Sequence, residues 1–390
     1  MKRAIVIIID GVGIGALPDA AKYNDEGSNT LANLAKFVNG LKLPNLASLG
    51  LGCIHNITGV QCPGKIRGNF GKMAEMSAGK DSTTGHWELA GLIMGKPFPT
   101  YPKGFPEEVI QKFIEKTGYH IIGNYPASGT EIIKELGEEH LRTGKLIIYT
   151  SADSVFQIAA HEKIVDVNTL YKICQKSRAL LTGEHAVARV IARPFTGENR
   201  HNFKRTDNRK DFSLRPSGKT ILRILQEKHV TTVGIGKIND LYANDGIDEK
   251  ILTKGNQEGM SALMHALEKF PGGLVMANLV DFDMLWGHRN DAFGFKLGLE
   301  EFDTWLAHFL DRLSEKDLLF ITSDHGNDPT TPSTDHSREY VPILTFGFGV
   351  KTGINLGTRK TFADLHATLA EYFAVPPGTQ GESFLSLIKN

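Results

Sequence analysis

Three aspartates of this sequence follow runs that are rich in Ile, Leu and Val. They are Asp10, Asp283 and Asp324. If the runs are strands of one parallel sheet, their carboxyl ends meet at the edge where such sheets bind ligands. Carboxylates that converge raise one another's pKa unless cations lie between them. We therefore expect these three side chains to hold metal.

Three histidines accompany these aspartates. His288 follows Asp283 by five residues, His325 follows Asp324 directly, and His336 comes shortly after. Mixed carboxylate and imidazole ligands suit Zn, Mn or Fe better than Ca. Six such ligands are too many for one four-coordinate site, and they suit a pair of metals that clamps the oxygens in phosphoryl transfer. Each aspartate alone could be only the N-cap of a helix, but the combination favours metals.

The segment Gly79–Glu88 carries a candidate nucleophile, Ser82. The apolar stretch 89–94 follows it and is predicted to continue a helix. A hydroxyl at the start of a helix lies at the positive end of the helix dipole, where free N–H groups can receive a phosphate. We expect metal, rather than a histidine base, to ionise Ser82. The alternative is that the hydroxyl only caps the helix.

The elements that must position these residues alternate between strands and helices, which indicates an α/β fold with a mostly parallel sheet flanked by helices. We expect helix 361–373 to start with a capping box formed by Thr361 and Asp364. The predicted parallel strands are 4–9, 231–235, 273–280, 318–322 and 343–348. The predicted helices are 217–228, 257–270, 291–313 and 361–373.

The middle of the chain has a different character, because it begins with a proline-rich stretch (Pro97, Pro99, Pro102 and Pro106) and ends near Pro216. We expect residues 97–216 to form a smaller α+β cap domain inserted into a metal-binding core of residues 1–96 and 217–390. Inside the insert we predict helices 107–117, 130–136 and 168–181 and strands 146–149 and 188–191.

Composition limits the remaining possibilities. The 390 residues are 41% hydrophobic and 23% charged, with 44 Lys and Arg against 44 Asp and Glu. This balance gives no overall field to attract nucleic acid or an anionic membrane, and no protein partner can be inferred. The N-terminal apolar run stops at Asp10, too short for a signal or membrane span, so we expect a cytoplasmic protein. Cys53, Cys62 and Cys174 show no Cys-x-x-Cys pattern, and we expect buried, unpaired thiols.

The whole chain resembles the phosphopentomutase family of the alkaline phosphatase superfamily. The resemblance rests on segments that span residues 4 to about 345 in matching order and spacing. They begin at Asp10 (DGVGIG), Gly79 (GKDSTTGHWE), Tyr149 (YTSADSV), Arg189 (RVIARPF), Asn278 (NLVDFD), Asp324 (DHGNDP) and Thr334 (TDHSREYVP).

The resemblance implies two divalent metals, typically Mn²⁺. By matching positions, Asp10, Asp324 and His325 would hold one metal, and Asp283, His288 and His336 the other. Ser82 would bridge both metals and carry the phosphoryl group. Some relatives have Thr as the phosphorylated residue, so Thr84 is the second candidate.

A mutase must exclude water from its phosphoenzyme, and an inserted cap can do this by closing. The insert is also basic between His185 and Arg215, and arginine forks match phosphate oxygens. The family pattern favours Arg189 and Arg205 for the non-reacting phosphate, with Ser151 and Asp153 facing the sugar.

The implied reaction interconverts ribose 1-phosphate and ribose 5-phosphate, and the 2-deoxyribose pair, through a 1,5-bisphosphate. A sugar bisphosphate such as glucose 1,6-bisphosphate would prime the enzyme. The alternatives are a metal-dependent phosphatase and a cofactor-independent phosphoglycerate mutase, which share the metal core.

Overall fold

The computed structural model describes residues 2–151 and 153–390, and its chain divides into two compact units. We call the first the core unit; it comprises the chain up to Pro97 together with Pro216–Asn390. The second, the insert unit, is Phe98–Arg215. Among the described residues, no helix has both the length and the apolar character that crossing a membrane requires.

The strands in chain order are β1 (Arg3–Ile9), β2 (Asn69–Met73), β3 (Ile121–Pro126), β4 (Leu146–Thr150), β5 (Val155–His161), β6 (Arg189–Thr196), β7 (Lys204–Arg205), β8 (Lys210–Ser213), β9 (Thr232–Ile235), β10 (Glu249–Ile251), β11 (Gly273–Leu279), β12 (Asp317–Thr322), β13 (Val341–Phe346) and β14 (Asn355–Arg359).

The α-helices are α1 (Thr30–Phe37), α2 (Pro44–Leu49), α3 (Leu51–Ile54), α4 (Ser82–Leu89), α5 (Glu107–Thr117), α6 (Gly129–Thr143), α7 (Val167–Leu180), α8 (Ile221–Glu227), α9 (Ile238–Leu241), α10 (Asn256–Lys269), α11 (Ala292–Asp311), α12 (Ala363–Phe373) and α13 (Leu385–Ile388). Shorter 3-10 turns occur at Ala20–Tyr23, Gly183–His185 and Gly287–Arg289, and a π-helical turn at Phe282–Trp286.

The core unit is built on one sheet with the strand order β10-β9-β11-β1-β12-β13-β2-β14. Neighbouring strands from β10 to β12 run parallel, β13 runs antiparallel to both β12 and β2, and β14 is parallel to β2. The predicted α/β class with a mostly parallel, helix-flanked sheet is confirmed.

The central strand β1 is apolar along its whole length because both faces of the sheet are covered. Ile5, Ile7 and Ile9 pack into an apolar cluster that includes Leu299 and Phe302 of α11. The alternate residues of β1 are also buried, on the opposite face. This packing fixes the carboxyl end of β1, where Asp10 follows.

The insert unit has its own sheet in the order β3-β4-β5-β6-β7, and β8 also pairs with β6. On one face, Phe113 of α5 and Ile173 of α7 pack in a cluster with Phe156. On the other face, Ile132 and Ile133 of α6 pack in a separate cluster. Each face therefore has a small core of its own.

Some predicted elements differ in detail. Residues 343–348 were predicted as a parallel strand, but β13 is antiparallel. The helix predicted from residue 217 starts at Ile221, because Thr220 is its N-cap and accepts from the Arg223 N–H. The predicted capping box is wrong: Thr361 Oγ1 accepts from Ala363 N, while the Asp364 carboxylate is paired with Arg359.

The helix that starts at Ser82 is shorter than predicted. It ends at Leu89 rather than continuing to Met94. The chain turns there because Gly91 has a φ of 99°, a left-handed conformation that ends a helix.

The prediction that the cysteines are unpaired is wrong for two of the three. The Sγ atoms of Cys53 and Cys62 are 1.97 Å apart and form a disulfide, whereas Cys174 is a free, buried thiol. The chain turns back after α3 through a bridge between Ile57 and Val60, so the two Cα atoms lie 4.6 Å apart. The nine-residue spacing alone does not reveal this turn.

Candidate active site

The three strand-end aspartates converge at one edge of the core sheet. Asp10 directly follows β1, Asp324 follows β12 after one serine, and Asp283 lies in the π-helical turn after β11. All three are buried, and the Gly11 N–H donates to Asp324 Oδ1 at 3.2 Å. The parallel register of β1 with β11 and β12 places these three ends side by side.

The first group of possible metal ligands consists of Asp10, Asp324 and His325. His325 Nε2 lies 3.3 Å from Asp10 Oδ1 and 3.3 Å from Asp324 Oδ2. These are the residues predicted to share one metal.

The second group contains Asp283 and His336, with His325 again within reach. His336 Nε2 is 3.2 Å from Asp283 Oδ1. His288 Nε2 is 3.3 Å from Asp283 Oδ2 and 3.2 Å from His336 Nε2. The structure thus brings all six predicted ligands together, and His325 lies between the two groups.

The donor atoms fit divalent cations. Among the described residues, the buried atoms Asp10 Oδ1 and Asp324 Oδ2 accept no hydrogen bond, although imidazole nitrogens lie nearby. The two Nε2 atoms of His288 and His336 also face each other. Carboxylate oxygens that converge in this way repel one another, and a cation between them removes the repulsion. Carboxylate and imidazole ligands match Mn, Zn or Fe.

Electrostatic interactions among these groups point the same way. Burial lowers the pKa of His288, but its hydrogen bond and charge contact with Asp283 outweigh burial and raise the pKa to about 9. Burial raises the pKa of Asp283, yet His336 and His288 hold it well below the ordinary value. The Asp283 carboxylate therefore favours a positive charge beside it, which a bound cation would supply.

Ser82 is the first residue of α4 and its hydroxyl faces the ligands. Its Oγ lies 3.1 Å from His325 Nε2. Thr84 is oriented differently, because its hydroxyl donates to Asp81 Oδ2 at 2.5 Å and its N–H donates to Asp81 Oδ1 at 3.1 Å. Asp81 is the N-cap of α4, so the cap function belongs to Asp81 rather than to Ser82. Of the two candidate nucleophiles, it is Ser82 that lies beside the possible metal ligands.

Helix α4 packs directly against the loop that contains Asp324 and His325. A Cβ on Gly85 would lie 2.0 Å from the Asp324 carbonyl oxygen, so only glycine allows this approach. His86 Nδ1 is 2.9 Å from the Ser82 carbonyl oxygen and 3.1 Å from Asp324 Oδ2. The hydroxyl of Tyr242 donates to the His86 carbonyl oxygen. These contacts fix the candidate nucleophile Ser82 relative to the candidate metal ligand Asp324.

Two further polar residues of the site, Lys237 and Asn327, were not predicted from the sequence. Lys237 Nζ lies 3.3 Å from Ser82 Oγ and 3.4 Å from Asp10 Oδ2. Asn327 Nδ2 donates to Asp283 Oδ1 at 2.8 Å and orients that ligand. Lys237 follows β9 by two residues, so the strand-end pattern that identified the aspartates could also have found it.

Arg338 holds the segment that leads into α4. It is buried, and its guanidinium donates to Glu75 Oε2 at 2.7 Å and to the Gly79 carbonyl oxygen. It also pairs with Asp19 at 3.2 Å. Arg338 could not be predicted from the sequence, because a single arginine in a loop has no characteristic spacing.

The predicted substrate residues all lie in the insert unit. Ser151 directly follows β4 and is partly buried. Arg189 pairs with Asp153 at 3.8 Å and with Asp211 at 3.5 Å. Arg205 lies on β7, opposite Phe195 at the far end of β6 from Arg189. Arg189 and Asp153 thus lie together at one end of β6, and Arg205 pairs with the other end of β6.

Comparisons with known proteins identify the family of this chain. The model of the Metalloenzyme superfamily matches residues 2–377. A phosphopentomutase of Carboxydothermus hydrogenoformans is 58% identical over 389 residues, covering 100% of both chains. A phosphopentomutase of Dictyoglomus turgidum is 57% identical, covering 100% of this chain and 98% of the relative.

Two solved structures share the fold at low identity. A Pyrococcus horikoshii protein has a TM-score of 0.50 at 16% identity, covering 97% of this chain and 99% of that one. A phosphoglycerate mutase of Leishmania mexicana has a TM-score of 0.51 at 11% identity, covering 98% and 97%. More than half of the residues are identical to those of these two phosphopentomutases over the full length of the chain. The chain therefore belongs to the phosphopentomutase family of the Metalloenzyme superfamily and is an isomerase.

Proposed function

We propose that this enzyme interconverts ribose 1-phosphate and ribose 5-phosphate, and the corresponding 2-deoxyribose phosphates, through a phosphoserine at Ser82. The observation that carries the proposal is the position of Ser82 Oγ, 3.1 Å from the imidazole that lies between the two groups of metal ligands. The family membership supports pentose phosphate mutase activity.

The reaction begins with the enzyme phosphorylated on Ser82. The C1 hydroxyl of ribose 5-phosphate attacks the phosphorus, the bond between phosphorus and Ser82 Oγ breaks, and the hydroxyl proton is lost. Ser82 Oγ then attacks the phosphorus of the 5-phosphate in the resulting 1,5-bisphosphate. The C5 oxygen leaves and takes up a proton, which releases ribose 1-phosphate and restores the phosphoserine.

The residues around Ser82 favour both transfers. Lys237 Nζ places a positive charge beside the transferring phosphoryl group, where negative charge spreads over the equatorial oxygens. The α4 N-terminus directs free N–H groups and the positive end of its dipole toward the same point. Two divalent cations, for which we propose Mn²⁺, would stabilise charge on the attacking and leaving oxygens.

The insert unit supplies the substrate residues in this proposal. Ser151 and Asp153 face the sugar, and Arg189 and Arg205 bind phosphate. A sugar bisphosphate such as glucose 1,6-bisphosphate primes the unphosphorylated serine. Pentose phosphates are the proposed small-molecule partners. A cytoplasmic location, without nucleic acid or membrane binding, stays a prediction.

A product assay tests the proposal against the phosphatase and phosphoglycerate mutase alternatives. Purified protein with Mn²⁺ and glucose 1,6-bisphosphate should convert ribose 5-phosphate into ribose 1-phosphate with little free phosphate. Ser82→Ala should abolish this turnover, whereas Ser261→Ala, an exposed serine on α10, should not. Release of free phosphate faster than formation of ribose 1-phosphate would contradict the proposal. Turnover of 3-phosphoglycerate without turnover of ribose 5-phosphate would contradict it as well.

A further inference from the structure

The three histidines among the candidate metal ligands share one orientation, because Nδ1 of each ring faces a backbone carbonyl oxygen. These oxygens belong to Thr334 (2.7 Å from His288), Gly326 (3.0 Å from His325) and Lys80 (3.1 Å from His336). A carbonyl oxygen only accepts hydrogen bonds, so in the neutral ring Nδ1 carries the proton. Nε2 of each ring then keeps its lone pair for a metal.

The carbonyl that holds His336 belongs to the segment of the candidate nucleophile. Lys80 lies two residues before Ser82, and Asp81 between them is the N-cap of α4. The hydrogen bond from His336 Nδ1 therefore links a candidate metal ligand directly to the start of the helix that carries Ser82.

The side chain of Lys80 anchors this segment. Its Nζ lies 3.2 and 3.0 Å from Oδ1 and Oδ2 of Asp25 and 3.2 Å from Asp335 Oδ2. Asp25 is 7% exposed, and its Oδ2 also accepts from the Arg338 N–H at 2.9 Å. Asp335 Oδ1 accepts from the His336 N–H at 2.9 Å. The ammonium group is thus bound by two carboxylates that also hold the backbone at His336 and just after it.

We propose that Lys80 is a positioning residue, which sets the direction of His336 Nε2 and holds His336 in register with Ser82. This inference rests on the proposed function, in which His336 is a metal ligand. Contacts to the second nitrogen of a metal-binding histidine fix the ring, and their loss typically weakens metal binding about 10- to 100-fold. Lys80 acts through His336 and does not itself bind the metal.

The charge of Lys80 alone predicts the opposite effect. An ammonium group repels a cation, so removing it should strengthen Mn²⁺ binding if only its electric field mattered. Removing the anchor of the Lys80 carbonyl should instead weaken Mn²⁺ binding. The sign of the change therefore separates a positioning role from a purely electrostatic one.

The test is a Mn²⁺ titration of the full-length protein, in which free Mn²⁺ is measured by its electron paramagnetic resonance signal. Lys80→Met removes the ammonium group, and we expect one class of Mn²⁺ site to weaken at least about tenfold while the other class is unchanged. Lys80→Arg keeps a charged donor and should restore most of the lost affinity. Lys22→Met is the matched control, because Lys22 is exposed and lies three residues from Asp25.

A second variant and the selectivity for one class of site guard against a general loss of structure. Lys80→Gln loses the charge but can still bond to Asp25, so it gives the same test if Lys80→Met does not fold. Unchanged or tighter Mn²⁺ binding in the folded variant, or equal weakening of both classes of site, overturns the inference. Failure of the proposed function looks different: wild-type protein would then bind Mn²⁺ in a Lys80-dependent way yet form no ribose 1-phosphate.

Discussion

Glu339 offers a quantitative test of how the segments that contain Gly15, Thr30 and Ser337 are held together. The side chain is 1% exposed and accepts four hydrogen bonds: from the N–H groups of Gly15 and Thr30 and from the hydroxyls of Thr30 and Ser337. Burial raises its pKa to about 7, because these hydrogen bonds offset only part of the desolvation and Asp328 adds to the rise. The perturbation is Glu339→Gln.

The sign and size follow from proton linkage. Below pH 4.5 the carboxyl is protonated in both the folded and the unfolded chain; between 4.5 and 7 the folded chain alone keeps the proton. Folding stability should therefore fall as pH rises through this window. From pH 5 to pH 8 the loss is about 2.5 kcal/mol, at about 1.36 kcal/mol per pKa unit. Glutamine stays neutral, and its amide can donate to the two hydroxyls, which rotate to accept.

The assay is urea unfolding followed by tryptophan fluorescence. Trp87, Trp286 and Trp305 all lie in the core unit. Relative to wild type, Glu339→Gln should gain about 2.5 kcal/mol between pH 5 and pH 8. Glu301→Gln, at an exposed glutamate, serves as the control and should show no such gain. A difference between wild type and Glu339→Gln that stays constant over this range would refute the reasoning.

Three further predictions concern the metal ligands and the disulfide. Asn327→Ala removes the hydrogen bond to Asp283 Oδ1 and should weaken Mn²⁺ binding about 10- to 100-fold in a metal titration; unchanged affinity would contradict the orienting role. Excess chelator should abolish mutase activity and lower the unfolding midpoint of the core unit, with recovery on adding Mn²⁺; full activity in chelator would exclude a metal mechanism. Reducing the Cys53–Cys62 disulfide should destabilise the protein by about 2–3 kcal/mol. The unfolding midpoint of the double variant Cys53→Ser/Cys62→Ser should not change when reductant is added. Equal unfolding midpoints for oxidised and reduced wild type would contradict this prediction.

The strand-end pattern predicted much of the site because it depends on topology alone. Apolar strands such as β1 and β12 are recognisable in the sequence, and in a parallel sheet the residues after them must meet. Asp10 and Asp324 therefore needed no knowledge of side-chain packing. Lys237 satisfies the same rule, but an ammonium group does not bind a metal, so a pattern of carboxylates and imidazoles does not include it.

Other features depend on contacts between distant segments and carry no local signal. Asp81, rather than Ser82 or Thr84, caps α4, and only the observed hydrogen bonds distinguish the three hydroxyl or carboxyl side chains. Arg338 reaches Glu75 across 263 positions of sequence. The Cys53–Cys62 bridge depends on a turn whose residues resemble those of an ordinary loop.

Phosphorylation of Ser82 is the step on which the proposed reaction depends, and peptide mass spectrometry can observe it directly. The protein is incubated with Mn²⁺ and glucose 1,6-bisphosphate, digested, and the segment around Ser82 is fragmented. We expect one phosphoryl group on Ser82 in wild type and none in Ser82→Ala. A phosphoryl group on Thr83 or Thr84, or turnover by protein whose Ser82 stays unmodified throughout, would contradict the assignment of the nucleophile.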